Sequence, residues 1–158
     1  MKNLTILIAF LAISNIAVSQ NVSISVSGNW AKTIAATDIS EAGNDYPTSY
    51  ESNTNQTLLS LNPNSQGKGV NVYVTRSDIK WQSDLILEVK RNSNGGNSSV
   101  TDGLNYKTII NTQSLVSPFF SCIQAVTNMT LQYRITGISV LLPVDIYSTT
   151  ITYTVMYQ

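Results

Sequence analysis

An immunoglobulin-like antiparallel β-sandwich of about eight strands is the fold this 158-residue sequence predicts, on three observations. Apolar and polar residues alternate with period two through most of the chain, the mark of strands with one buried face. Clusters of Gly, Asn, Asp and Pro recur between the alternating runs and read as turns. No window carries a long amphipathic helical pattern, and residues 31–40 have room for one turn at most. Many short strands with regular turn signals build a sandwich or a barrel. A membrane barrel needs outward apolar bands on nearly every strand, whereas the Ser23/Ser25/Ser27 and Thr150/Thr152/Thr154 faces are polar.

The elements follow in order. Residues 1–19 read as a cleavable secretory signal: Met1-Lys2, an apolar run over 4–13, and a small-x-small ending at Ala17-Val18-Ser19. The run is too short to span a bilayer, which takes about 20 apolar residues, and Gln20 stands where a lipoprotein Cys would be. Residues 20–158 then make one domain of ordinary size. The first strand is 22–27, with Val22, Ile24 and Val26 alternating with serines up to Gly28-Asn29. Shorter strands are expected at 30–35 and 57–61, separated by a long loop over 41–55. Val70, Val72 and Val74 mark the next strand, and Leu85, Leu87 and Val89 the one after it, joined through 76–83. A turn around Asn94-Gly95-Gly96-Asn97 leads to short strands at 106–110 and 115–120. Met129, Leu131, Tyr133 and Ile135 give the clearest alternation, interrupted at Gly137 before a continuation over 138–142. A Gly inside a strand pattern signals a bulge or bend. After Pro143-Val144-Asp145, a long strand over 147–157 places Tyr147, Thr149, Ile151, Tyr153, Val155 and Tyr157 on one side.

Composition limits the chemistry. The chain has 9 basic and 9 acidic residues, and loss of Lys2 with the leader leaves one acidic group in excess. That balance predicts no nucleic-acid partner. Charged residues are 11% of the chain, against about 25% in ordinary soluble domains, so Ser, Thr and Asn carry solubility. There is no His, which removes the commonest general base, the usual Ser and Cys triads and most zinc sites. Paired carboxylates would suffice for a glycosidase, but the acidic residues fall mostly in turns and at strand ends. No enzyme activity, no catalytic residue, no metal and no cofactor is predicted. The single Cys122 sits in the apolar stretch 118–123 and reads as a buried, inert thiol.

Aromatic residues offer the ligand reading. Trp30 and Trp81 are expected in the core, as in other sandwiches, while Tyr46 and Tyr50, beside Pro47 in the long loop, are the candidate ligand-contact pair. Exposed rings of that kind stack on sugar faces.

The ending 142–155, Leu-Pro-Val-Asp-Ile-Tyr-Ser-Thr-Thr-Ile-Thr-Tyr-Thr-Val, resembles the final strand of bacterial secreted fimbrial-type sandwiches, including the spore coat U and WxL-like groups. The layout is similar to that of small secreted proteins of Bacteroidota. The paired Cys of chaperone-assembled fimbrial subunits and the WxL tripeptide are both absent, so neither their assembly route nor wall binding carries over. The resemblance and the composition together predict a secreted, cell-surface or periplasmic structural or adhesive subunit. Its partners would be other copies of itself or surface proteins, and Val22, Ile24 and Val26 its candidate assembly strand. The alternative is an extracellular carbohydrate-binding module.

Overall fold

The computed structural model describes residues 22–41, 43–63, 67–97 and 99–158. The expected signal at 1–19 lies outside them, as do Gln20 and Asn21. The described residues form an all-β sandwich of nine strands: β1 (Ser23–Ser27), β2 (Ser49–Glu51), β3 (Thr57–Asn62), β4 (Val70–Lys80), β5 (Ile86–Arg91), β6 (Lys107–Thr108), β7 (Phe120–Cys122), β8 (Val126–Thr136) and β9 (Ser148–Tyr157). One 3-10 turn, Ala36–Asp38, is the helical turn for which the 31–40 segment left room.

The larger sheet runs β1-β3-β8-β5-β6 and the smaller β7-β4-β9, with all strand pairs antiparallel. β2 and β3 lie end to end along one edge of β8, β2 opposite Arg134 to Thr136 and β3 opposite Val126 to Leu131. Ser52 bridges the gap between them. Its N–H donates to the Tyr133 carbonyl at 2.9 Å, and its hydroxyl accepts the Tyr133 N–H at 2.8 Å. A hydroxyl therefore stands in for a missing ladder carbonyl. A bulge between Leu59 and Leu61 sets Asn128 in left-handed conformation at φ 51°, which Asn tolerates.

The core lies between the sheets where the alternating apolar residues meet: Leu59 and Leu61, Val70 and Val72, Val89, Met129 and Leu131, closed by Phe119 and Phe120 edge to face at 5.5 Å. Cys122 is buried there too, and burial pushes its thiol up to about 11.

Three expected strands differ, each for a local reason. Residues 30–35 do not pair, because Gly28 at φ +113° turns the chain away from β3 so closely that a Cβ would lie 2.3 Å from the Gln56 carbonyl. Trp30 then stacks on Tyr133, 6.4 Å between ring centres. Residues 115–118 stay out of the ladder; Lys107 Nζ holds the Ser117 and Pro118 carbonyls at 3.1 and 2.7 Å, and bonding to β4 starts with the Phe119 N–H on the Val72 carbonyl at 2.6 Å. Residues 138–142 are loop, because both neighbours of β8, β2 and β5, have their last partner at Thr136. In the other direction β4 runs on to Lys80, since β9 pairs with it along its whole length.

Candidate functional site

β4 and β8 finish, and β2, β5 and β9 begin, at one end of the sandwich. There the 39–48 and 137–147 loops are tied together by one carboxylate. Asp45 Oδ1 accepts the Val140 N–H across the gap at 2.8 Å and the Tyr46 N–H at 2.7 Å. The Tyr46 amide, then Ser139, then the Val140 amide hold the Asp45 carboxyl below its ordinary value, because all three favour the charged form. Gly137, at φ +82°, launches the second loop with its α-carbon pressed to the backbone of Asp84, where a Cβ would lie 1.9 Å from the carbonyl oxygen.

The two expected ligand-contact tyrosines both lie at this end and are both half-buried. Tyr50 is the middle residue of β2, its hydroxyl donating to Asp38 Oδ2 at 3.3 Å. Lys32 Nζ sits 4.9 Å from the Tyr50 ring centre and 3.9 Å from Asp38, so one ring face is covered by an ammonium. Desolvation, and then the Asp38 charge, raise the Tyr50 phenol, which stays neutral. Trp81, also here, is half-buried. Its Nε1 donates to the Leu85 carbonyl at 2.7 Å and the Arg76 guanidinium stands 4.7 Å from its ring.

The 137–147 loop carries what the alternation pattern missed. Val140 is 54% exposed, Leu141 89%, Ile146 82% and Val144 fully. The loop is braced all the same: Lys80 pairs with Asp145, Leu142 N–H donates to the Ser139 carbonyl at 3.0 Å, and the Tyr147 hydroxyl donates to the Pro143 carbonyl at 2.6 Å. The apolar run 138–142 is visible in the sequence, but the alternation predicts a continuation of the strand there and not an exposed loop.

Of the candidate assembly residues, Ile24 and Val26 lie in β1, on the edge of the larger sheet and paired to β3 from Ser23↔Asn62 to Ser27↔Leu58, while Val22 precedes the strand. Its alternation does not bury one face. Ile24 and Val26 stand opposite buried Leu61 and Leu59, yet remain 36% and 43% exposed, because β1 is the outermost strand of a sheet wider than the one packed on it. β9 is the other long edge. It pairs with β4 from Tyr157↔Val70 to Ser148↔Lys80 and, among the described residues, has no strand on its far side.

On the solvent side of the larger sheet, Arg134 donates to Glu88 at 2.7 Å and lies 4.0 Å over the Tyr106 ring, with Lys90 at 4.6 Å from the same ring. Burial, with Glu51 next in effect, pushes the Tyr106 phenol up to about 12. Alternation put Glu88 and Lys90 on one face of β5, and Tyr106, expected to begin a short strand, lies just ahead of β6, whose pairing with β5 brings the ring to that face. Among the described residues no three acidic or Cys side chains gather as metal ligands, and no helix is long and apolar enough to cross a membrane. No protein-family model, curated protein or solved structure matches this chain.

Proposed function

We propose that this chain is an exported, non-catalytic structural or adhesive subunit of the bacterial surface or periplasm, akin to the fimbrial-type sandwiches its ending resembles, and that its copies associate by strand pairing. The observation that supports this reading most is the free edge of β9. Proteins protect long edge strands with Lys, Pro, bulges or covering loops, and the ten residues of β9 contain no charge, Pro or Gly. Such an edge accepts a further strand through its backbone. The Thr150, Thr152 and Thr154 face adds Thr pairs worth roughly 0.2–1 kcal/mol each across a new strand.

β1 is the second element of this reading, an uncharged edge held by one neighbour near the start of the described chain. The carbohydrate-binding alternative has less support, because the Tyr50 hydroxyl and one face of its ring are already engaged by Asp38 and Lys32.

Light scattering and negative-stain microscopy of residues 20–158 test the proposal. Large species or filaments that revert to single chains in Thr150→Lys/Thr152→Lys are the expected outcome. A monomer at every concentration, with the variant indistinguishable, would sink the strand-pairing reading and leave a glycan screen with Tyr46→Ala as the next step.

A further inference from the structure

The outer face of the smaller sheet carries a walled cleft of about 420 Å³, within the range of roughly 300–1,000 Å³ usual for ligand pockets. Its floor is four hydroxyls, Thr75 and Ser77 on β4 beside Thr152 and Thr154 on β9. They face outward because Val72 and Val74 take the inner side of β4. The wall is the 111–115 segment, on the edge of β4 opposite β9, and it is fixed in place. The Arg76 N–H donates to the Ile110 carbonyl at 3.1 Å, Arg76 Nε to the Ile109 carbonyl at 2.9 Å, and Asn111 Nδ2 to Asp78 Oδ2 at 2.8 Å. Several small polar side chains elsewhere are tied into the fold: Ser60 Oγ accepts the Asn128 N–H, Ser93 Oγ the Thr130 N–H, and Ser121 Oγ donates to Asn71. In the cleft, the side chains of Thr75, Ser77, Thr152, Thr154 and Gln113 have no hydrogen-bond partner among the described residues.

We propose that this cleft binds a neutral oligosaccharide, which lies across the Thr75, Ser77, Thr152 and Thr154 floor against the Gln113 side of the wall. Each floor hydroxyl can both donate and accept, and the Gln113 amide offers an acceptor and two donors. That is the mixture a sugar ring presents in return. Arg76 is the one charged residue lining the cleft, and Asp78 neutralises it at 2.9 Å. A phosphate-bearing ligand draws its affinity from cations it can neutralise, and a protein partner concentrates its energy in Trp, Tyr and Arg anchors seated in dry pockets. A neutral floor of hydroxyls suits neither. Tyr73, between buried Val72 and Val74 and opposite Thr154, lies on the same outer face beside the floor, where its ring can take the C–H face of a sugar. The wall is held before any ligand arrives, so binding does not have to order it. The site goes beyond strand pairing, because a strand added to the far edge of β9 lies beside this floor and not over it.

An array of neutral oligosaccharides of glucose, galactose, mannose and N-acetylglucosamine, with sulfated and sialylated ones as charged controls, tests the site, followed by titration with the strongest binder. Binding is expected to neutral glycans and equally at low and high salt, since it involves no ion pair. Thr75→Val/Gln113→Ala strips polar groups from floor and wall and leaves the β9 edge intact. It is expected to raise Kd about tenfold, with urea midpoint and solution mass unchanged. Thr75→Ser, which keeps the hydroxyl, is expected to bind as the native protein does. No binding to any neutral glycan would overturn the proposal. So would binding confined to charged glycans, binding that survives Thr75→Val/Gln113→Ala, or binding lost in Tyr46→Ala instead, since the ligand would then sit elsewhere. A native protein that stays monomeric and still binds would sink strand pairing and leave the cleft standing; filaments that bind no glycan would do the reverse.

Discussion

The two ends of the sandwich invert what is normally inside and outside. At the end where β5 finishes, Arg91 is 3% exposed. Its guanidinium donates to the carbonyls of Asp102 and Val100 and to Asn94 Oδ1, and its own N–H to the Gly103 carbonyl at 2.7 Å. Asn97 is buried beside it in sequence, with Nδ2 on the Gln124 carbonyl at 2.7 Å and Oδ1 accepting both donors of Ser99. At the opposite end, Leu141 and Val144 stand in solvent. Burial here follows the reach of covering chain and not side-chain polarity. Asn94, Val100, Asp102 and Gly103 bring acceptors that need a donor with several N–H groups, whereas among the described residues nothing covers Leu141 and Val144 in the loop that leaves β8.

Removing the buried cation should have the largest effect. Arg91→Ala leaves those carbonyls without donors, and a stability loss of about 4 kcal/mol is expected, read as a lower urea midpoint. An unchanged midpoint would show that the 92–103 segment does not depend on the guanidinium. Gly137→Ala attacks the launch of the exposed loop, through a left-handed φ and a clash with the Asp84 carbonyl; about 3 kcal/mol should be lost. Leu141→Ser and Val144→Ser sharpen the contrast, because both side chains are outside. Each should move stability by less than about 0.5 kcal/mol, and a larger loss would mean that the 137–147 loop packs on the fold.

Two smaller effects concern titrating groups. Native Cys122 should react with thiol reagents about a hundredfold more slowly than the unfolded chain, since burial raises its pKa and blocks access. Rapid native labelling would break the assignment of this thiol to the core. Asp45 has a depressed folded pKa, so its tie between the loops is at full strength above the ordinary value of 3.8 and weakens as pH falls through the lower folded value. The Val140 amide proton should shift in that acid range, and the Asp45→Asn variant should lose the transition.

Much of the sandwich was legible as period-two alternation. β3, β5, β8 and β9 fall close to where Leu59/Leu61, Leu87/Val89, Leu131/Tyr133 and Tyr153/Val155 put them, because each of these strands has a sheet packed on one face. Residues 138–142 carry the same pattern and form no strand, since a strand also needs a neighbour to pair with and both neighbours stop at Thr136. Tyr46 lies in a loop, but Tyr50 sits in β2, a strand inside the expected 41–55 loop, and the loss of a free face on Tyr50 to Lys32 depends on a contact eighteen positions away in the chain, across the Ala36–Asp38 turn.

Composition and alternation alone determined an all-β chain, poor in charge and without histidine, because these are properties of residue types and of near neighbours in sequence. Which apolar residues end up inside was decided only in three dimensions. Ile24 and Val26 alternate as regularly as Leu59 and Leu61, yet they stay half-exposed on the outermost strand of the wider sheet. The hydrophobic effect rewards removal from water, and removal takes a second surface whose position no local pattern encodes.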